Sequence, residues 1–380
     1  MSRVVRVLEF RMVRGTGGGP EKTILLGARE ADPTRTHVTV CYLRAADDDV
    51  FDIGERARTL GVPYVEIVER TRLDSTLVRQ LRSLIDDHAI DVIHSHDYKT
   101  DLLAWLAGRR RKVALVATAH GWTGHSLRER AVYYPAHKWL LARFPRVIAV
   151  STEIAGELRR WGADTDRVRV LVNGIDPDRF RRDPSLAPRA RHAFGIPPGA
   201  VVIGAVGRLE PQKRFDLLIE AIAELRRTRR EPLWLLIAGE GSVRPSLEAL
   251  IERLDLSGVC RLAGHVADIS MFHHALDLFV QSSAYEGTPN VVLEAMALET
   301  PVVATSVGGT ADLCRPGIDG EIVAPGDASL LVTAIARVLE DPVRRAGQVA
   351  SARQRVEQTL SFASRVRALD DLYAEAVRGA

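Results

Sequence analysis

Short runs of β-branched and aliphatic residues alternate with stretches whose apolar positions recur at helical spacing. The runs Val4–Phe10, His37–Leu43, Tyr64–Val68, Ile90–Ile93, Ala114–Ala117 and Val147–Val150 read as a first series of strands. A second series comprises Val168–Val172, Val201–Val206, Leu233–Ile237, Val259–Ala263, Leu278–Gln281 and Pro301–Ala304. Several are near-continuous apolar runs, the pattern of parallel strands covered on both faces. Asp216–Arg227, Pro245–Leu254 and Leu330–Leu339 carry helical periodicity between them, and Phe362–Val377 does so with no strand after it. Strand and helix alternating in this way predict an α/β fold built of doubly wound parallel sheets.

The chain changes character between Arg181 and Ala200, where Pro184, Pro188, Pro197 and Pro198 stand among few aliphatic residues. That stretch reads as a linker and places a domain boundary near residue 190. A length of 380 residues agrees with two domains rather than one. Hydrophobic residues at 46% and charged residues at 27% exclude a disordered, collagen-like or disulfide-stapled chain. Cys41, Cys260 and Cys314 are scattered and odd in number, so they are expected to be reduced, buried thiols of a cytoplasmic protein. No run approaches the ~18 apolar residues of a spanning helix, and Met1-Ser2-Arg3 leads straight into a strand pattern. The expectation is a soluble chain, attached at most to a membrane surface.

The net charge of +3 hides an asymmetry. Residues 1–190 hold 32 Lys and Arg against 25 Asp and Glu, and the remainder 20 against 24. Within the basic half, residues 101–147 combine Arg109, Arg110, Arg111, Lys112, Arg128, Arg130, Lys138, Arg143 and Arg146 with interleaved Trp and Tyr. Such a stretch suits an anionic bilayer surface or an anionic acceptor, and equally a solvated helix face over core aromatics. No recognition motif for nucleic acid accompanies it.

The residues that carry chemistry follow strand ends. In Ser282–Ala297 a Gly-containing turn leads into a helix opened by Pro289, offering amides and a positive dipole end to a phosphate. Glu286 and Glu294 lie eight residues apart, ~12 Å on one continuous helix at ~1.5 Å per residue. That separation exceeds the ~5 Å of a retaining-glycosidase pair, so the two are expected to touch different parts of one elongated ligand. Gly207-Arg208-Leu209-Glu210-Pro211-Gln212-Lys213 follows a buried strand and sets a guanidinium and an ammonium within reach of one diphosphate. Glycines after other strands, at Gly239 and Gly241, Gly308 and Gly309, and Gly15 to Gly19, permit close backbone approach.

Taken together and in order, these motifs resemble the retaining glycosyltransferases of the family-4 class with the GT-B fold. The likeness rests on Gly207, Arg208 and Lys213, on Glu286 and Glu294 as a Glu-x7-Glu pair, on the glycine-rich amino-terminal loop, on Val172–Asp176 and on the turn at Gly308. It implies two Rossmann-like domains facing across a cleft, with 1–190 on the acceptor side, 191–360 on the nucleotide-sugar side, and 361–380 as a helix packing back on the first. It implies further that Arg208 and Lys213 hold the donor diphosphate, that Glu294 binds the ribose and that Glu286 faces the transferred sugar. Amides at Asn290 and Val291 would complete the phosphate site, Gly207 and Gly239 would line it, and Gly18 and Gly19 would close over it. His120 would stand beside the reacting sugar. Asp312 departs from the longer acid often found after the Gly-Gly turn, so any polar contact it makes is shorter.

The donor is then a nucleotide-sugar, with a UDP-sugar favoured, and the acceptor a glycan, a lipid-linked molecule or a small molecule, as in polysaccharide or glycoconjugate biosynthesis. No cofactor and no metal are expected, because two cations and a helix end suffice for the diphosphate. Two metal signals compete. Asp47-Asp48-Asp49 matches the Asp-x-Asp of metal-dependent transferases of the other major fold, but reads better as a solvated loop. His94 and His96 share one face of a strand end, yet spacing supplies no third ligand. A nucleotide-sugar epimerase of the same fold and a non-catalytic nucleotide-sugar binder are the competing functions.

Overall fold

The computed structural model describes residues 3–71, 74–109, 111–122, 129–229 and 231–379, with backbone alone at Gly19 and Arg130. Two compact units emerge, one formed by Met1–Asn173 with Phe362–Ala380 and the other by Gly174–Ser361. Each is built around one parallel sheet.

In the first unit the strands are β1 (Val5–Met12), β2 (Thr36–Ala45), β3 (Tyr64–Glu69), β4 (Val92–Ser95), β5 (Ala114–Ala119), β6 (Arg146–Ala149) and β7 (Val168–Val170). Their spatial order is β3-β2-β1-β4-β5-β6-β7. The chain therefore reverses direction of travel between β1 and β4, and a crevice opens there at the carboxyl ends of the strands. Both faces of the sheet are covered. Leu8, Phe10, Cys41, Leu43, Ile93 and Leu115 point to one core, and Val7, Val40, Tyr42, Val92 and Val116 point to the other. The second core is closed by the helix Phe362–Arg378, which contributes Leu372, Tyr373 and Ala376.

The second unit carries β8 (Val201–Val206), β9 (Leu233–Ala238), β10 (Cys260–Gly264), β11 (Leu278–Gln281), β12 (Val302–Thr305) and β13 (Glu321–Val323). They lie in the order β10-β9-β8-β11-β12-β13, so the switch point falls between β8 and β11. The three residues of β13 escaped the sequence reading because so short a run has no measurable period.

The boundary differs from the expected one. It falls between Asn173 and Gly174, not near 190. The proline-rich stretch is no linker: Pro184 and Pro188 occupy first turns of short helices, a position that suits proline. Phe180, Ala190 and Ile196 are buried. Arg191 grips Asp277 with two bonds of 2.7 and 2.8 Å, and Arg182 donates to the His273 carbonyl at 2.8 Å. These contacts bind the stretch to the second unit. Cys41, Cys260 and Cys314 are free and buried, and no described helix is long and apolar enough to cross a membrane.

Candidate active site

The crevice of the second unit collects the motifs after β8 and β11. Beyond β8 the chain passes Gly207 and Arg208 and makes one short helical turn at Pro211–Lys213. Arg214 then takes a left-handed conformation, φ 49°, to start the helix Phe215–Thr228. That turn aims Lys213 at the loop after β11, where its Nζ donates to Glu286 Oε1 at 2.5 Å. Ser283 Oγ donates to the same oxygen at 2.7 Å. The loops are also stitched by backbone: Ala284 N donates to Gln212 O, and Ser282 Oγ to Lys213 O, both at 2.8 Å. Lys213 and Glu286 thus neutralise one another. Arg208 is exposed, and among the described residues its guanidinium makes neither a hydrogen bond nor an ion pair.

The helix after this loop is Asn290–Ala297, capped by Pro289 in extended conformation. Glu286 therefore lies in the loop, and the separation expected for one continuous helix does not apply. Glu294 sits in the second turn with 9% of its surface exposed. Asn290 and Val291 open the helix, at the positive end of its dipole. The support beneath comes from Gly308, at φ 52°, where a Cβ would overlap the Glu286 carbonyl oxygen. Gly309 N donates to Gly287 O at 2.6 Å.

Gly239 has a related role. Its φ of 144° and a Cβ position overlapping Gly207 O leave room for no side chain. The close approach made at Gly239 and Gly241 is between the loops after β8 and β9, with Leu209 N donating to Glu240 O at 2.9 Å. These two glycines set the path of the Arg208 loop.

In the first unit the crevice between β1 and β4 carries the glycine-rich loop and a histidine cluster. Gly18 precedes the helix Gly19–Glu30, and Glu21 in its first turn reaches back to Gly18 N at 2.5 Å. The Glu21 carboxylate also meets the Arg11 guanidinium. Burial raises its affinity for a proton, but Arg11 and the loop amides outweigh that and hold it below the usual carboxylate range. Asp48, expected in a solvated loop, is instead buried and accepts from Gly15 N at 2.8 Å. It anchors the same loop.

His120 follows β5 and is partly exposed. Its Nε2 lies 3.3 Å from Nδ1 of His96. His96 Nε2 in turn contacts Glu9 Oε2, and His94 Nδ1 lies 3.1 Å from Glu9 Oε1. Tyr373 OH is 2.9 Å from Glu9 Oε1 and 2.7 Å from His94 Nδ1. Thr118 Oγ1 is 2.6 Å from His94 Nε2. Register explains the assembly: Glu9 pairs with His94 across parallel β1 and β4, so their side chains share a face. Burial would hold the Glu9 proton, but the two imidazoles outweigh it and set the carboxyl well below its usual range. Burial pushes His96 down to about 4 and His120 well below the usual imidazole range, with Arg11 adding to the effect on His120.

Glu9 is the third group that spacing did not supply. Glu9, His94 and His96 form the one cluster of metal-ligating type found among the described residues. Their polar atoms are engaged with one another and with Tyr373 and Thr118, and the Arg365 side chain lines the same small cavity. A cation-lined, hydrogen-bonded cluster is a poor place for a second cation. Sequence reasoning overlooked Glu9 and Tyr373, although a lone carboxylate inside the apolar run Val7-Leu8-Glu9-Phe10 is a usable signal.

In the 101–147 stretch, Arg110 and Arg128 lie outside the described residues. Asp101 is fully buried and bonded to His137 at 2.6 Å, and Trp122 Nε1 donates to His137 Nδ1 at 3.1 Å. Lys138 pairs with Glu157 at 2.8 Å. Tyr98, Leu102, Val132 and Trp139 are exposed, and Arg143 stacks 4.2 Å from the Trp139 ring centre.

Comparison with known proteins places these features. Residues 17–179 match Glycosyltransferase Family 4, and residues 187–355 match Glycosyl transferases group 1. A D-inositol 3-phosphate glycosyltransferase of Saccharomonospora viridis is 32% identical, over 96% of this chain and 91% of its own. The putative glycosyltransferase EpsD of Bacillus subtilis is 30% identical over 82% of this chain and 86% of its own. D-inositol 3-phosphate glycosyltransferase 2 of Catenulispora acidiphila is 35% identical over 67% of this chain, a match that spans 64% of that relative's length. Among solved structures, Anabaena HepE in complex with UDP superposes with a TM-score of 0.85 at 22% identity, covering 98% of this chain and all of that one. The lipopolysaccharide-biosynthesis glycosyltransferase WaaG gives 0.71 at 18% identity, covering 97% and 99%. Two doubly wound parallel sheets, the motif order along both and relatives of this similarity over most of their length make the chain a member of the family-4 glycosyltransferases of the GT-B fold.

Proposed function

We propose that the protein is a retaining glycosyltransferase that moves a sugar from a nucleoside-diphosphate sugar, UDP-sugars favoured, to a hydroxyl acceptor. The observation that carries this reading is the crevice between β8 and β11. There the exposed Arg208 guanidinium, the Lys213–Glu286 pair and the positive end of the helix Asn290–Ala297 share one strand-end site. In this reading the site takes a diphosphate without a metal ion: Arg208 supplies one charge, Lys213 a second once the diphosphate replaces Glu286 as its partner, and the helix opened by Asn290 and Val291 its positive end. In the proposed reaction the anomeric carbon–phosphate oxygen bond breaks as the acceptor oxygen approaches from the same face. The leaving diphosphate oxygen takes the acceptor proton, so the configuration is retained. Arg208 and Lys213 stabilise the charge that grows on that oxygen. Glu294 takes the ribose, Glu286 faces the sugar, and His120 lies beside it.

The acceptor we infer is anionic, a phosphorylated polyol or a lipid-linked glycan, handled by a cytoplasmic enzyme at a membrane face. Support comes from the excess of 32 basic over 25 acidic residues in 1–190, from exposed Tyr98, Leu102, Val132 and Trp139, and from the relatives named above.

The test is Arg208→Ala in the full chain. Loss of one such preorganised contact costs about 3 kcal/mol in the barrier, so kcat falls by about 100-fold while circular dichroism is unchanged. Turnover near that of the wild type overturns the assignment. Incubating the wild type with donor alone, then with acceptor, separates the alternatives. An epimerised donor marks an epimerase, and binding without product marks a binding protein.

A further inference from the structure

Protons in the cluster behind His120 can be assigned almost without choice. Two imidazoles and the Tyr373 hydroxyl face the Glu9 carboxyl and, against the effect of burial, lower its affinity for a proton, so both its oxygens accept. Tyr373 OH therefore donates to Oε1, and His96 donates from Nε2–H to Oε2. A neutral His96 then has a lone pair on Nδ1. The only proton available for the 3.3 Å contact with His120 is the one on His120 Nε2. A ring that spends its Nε2–H in this way carries a lone pair on Nδ1. The opposite tautomer of His96 would set Nδ1–H against His120 and leave a bare nitrogen against the buried carboxylate, which is costly on both counts.

We infer that Glu9 and His96 are positioning residues for His120: the carboxylate fixes the His96 ring, and His96 Nδ1 holds His120 Nε2–H, so that His120 presents an unprotonated Nδ1 to the substrate. This rests on the proposed function, which sets His120 beside the transferred sugar. The nitrogen so presented accepts a hydrogen bond from a sugar or acceptor hydroxyl and gives none. Because Tyr373 belongs to the helix Phe362–Arg378, the support behind the ring runs from that helix through β1 and β4 to the end of β5. The low proton affinities of His96 and His120 agree with two neutral rings at neutral pH.

Two substitutions at one position separate positioning from plain stability. In His96→Asn the amide stands where Nδ1 stood, so it still accepts from His120 but abandons Glu9. In His96→Gln the amide stands where Nε2 stood, so it still donates to Glu9 but abandons His120. The buried Glu9 Oε2, left without its donor in His96→Asn while Oε1 keeps Tyr373 and His94, makes that variant the less stable one, yet it is expected to be the more active. His96→Gln should melt higher and lose about 100-fold in kcat, the penalty of a misplaced catalytic group, with the donor KM unchanged. Activity that follows melting temperature across the two variants, or two variants that both turn over like the wild type, overturns the inference. Nitrogen-15 NMR of the His120 ring reports independently of turnover. Protonated Nε2 with bare Nδ1 is expected in the wild type and a tautomer mixture in His96→Gln, and an identical ring in both overturns the positioning. A melting temperature lowered by EDTA also overturns it, since the ring nitrogens would then be metal ligands. If the wild type binds UDP but transfers no sugar, the proposed function fails, and the NMR comparison still decides the positioning.

Discussion

His273 lies in the helix Ile269–His274 with none of its surface exposed, between the rings of Phe272 and Phe279 at 5.9 and 5.4 Å. Neither ring nitrogen has a hydrogen-bond partner among the described residues. Burial, with Arg182 and His274 adding to it, pushes its pKa from 6.5 down to about 3. A histidine lowered in this way costs nothing above pH 6.5, and its penalty grows as the pH falls toward 3, because the unfolded chain takes up a proton that the folded chain refuses. At pH 5 the penalty is about 2 kcal/mol by linkage, and it levels off near 5 kcal/mol in stronger acid. His273→Leu removes both the titration and the two unsatisfied nitrogens. The latter cost about 1–3 kcal/mol each in a buried site, so the variant should be at least as stable as the wild type at pH 7. Urea unfolding followed by circular dichroism at pH 7 and pH 5 makes the comparison. Between the two pH values the wild type should lose about 2 kcal/mol more than the variant. Equal losses, or a lower midpoint for the variant at pH 7, refute the reasoning.

Gly308→Ala places a Cβ on the Glu286 carbonyl in a left-handed residue, so it should cost about 1–3 kcal/mol and, under the proposed function, weaken the rise in melting temperature expected on adding UDP. Arg365→Met deprives the Leu171 and Val172 carbonyls of their donor at 2.9 and 2.6 Å. Amide exchange around Val168–Val170 should rise about tenfold or more, as for loss of a charged hydrogen bond, and unchanged exchange would show that the guanidinium bears no load. Cys260 and Cys314, with burial holding both thiols up at about 12, should react with a thiol reagent only in denaturant. Trp139→Ala should reduce sedimentation with anionic vesicles and leave neutral vesicles unaffected. Equal sedimentation with both kinds of vesicle counts against a membrane-facing role.

The parallel strands were readable in the chain because each is an apolar run bounded by polar turns, and β8 and β11 were located to the residue. The meeting of Lys213 with Glu286 was readable for a related reason: both follow strand ends in short loops of adjacent strands. The domain boundary was not, since prolines mark both linkers and first turns of helices, and only burial of Phe180 and Ile196 tells them apart. Glu9, His96, Tyr373 and Thr118 were the hardest to connect. They lie on β1, just past the end of β4, on a carboxyl-terminal helix and on β5, and Tyr373 and Glu9 are 364 positions apart. No local pattern reports a pairing of that range. It follows from strand order, which a single sequence does not print.

The helix Phe362–Arg378 seals a core whose other walls are laid down before residue 174. On the ribosome, therefore, the contiguous unit 174–361 can fold as soon as it emerges, whereas the unit that began first waits for the segment after it. Until then the face bearing Val7, Val40, Val92 and Val116 lacks its cover, and the pocket behind His120 has no Tyr373. The unit whose synthesis starts first is thus the one whose set of residues is completed last, and the histidine cluster lacks Tyr373 until then.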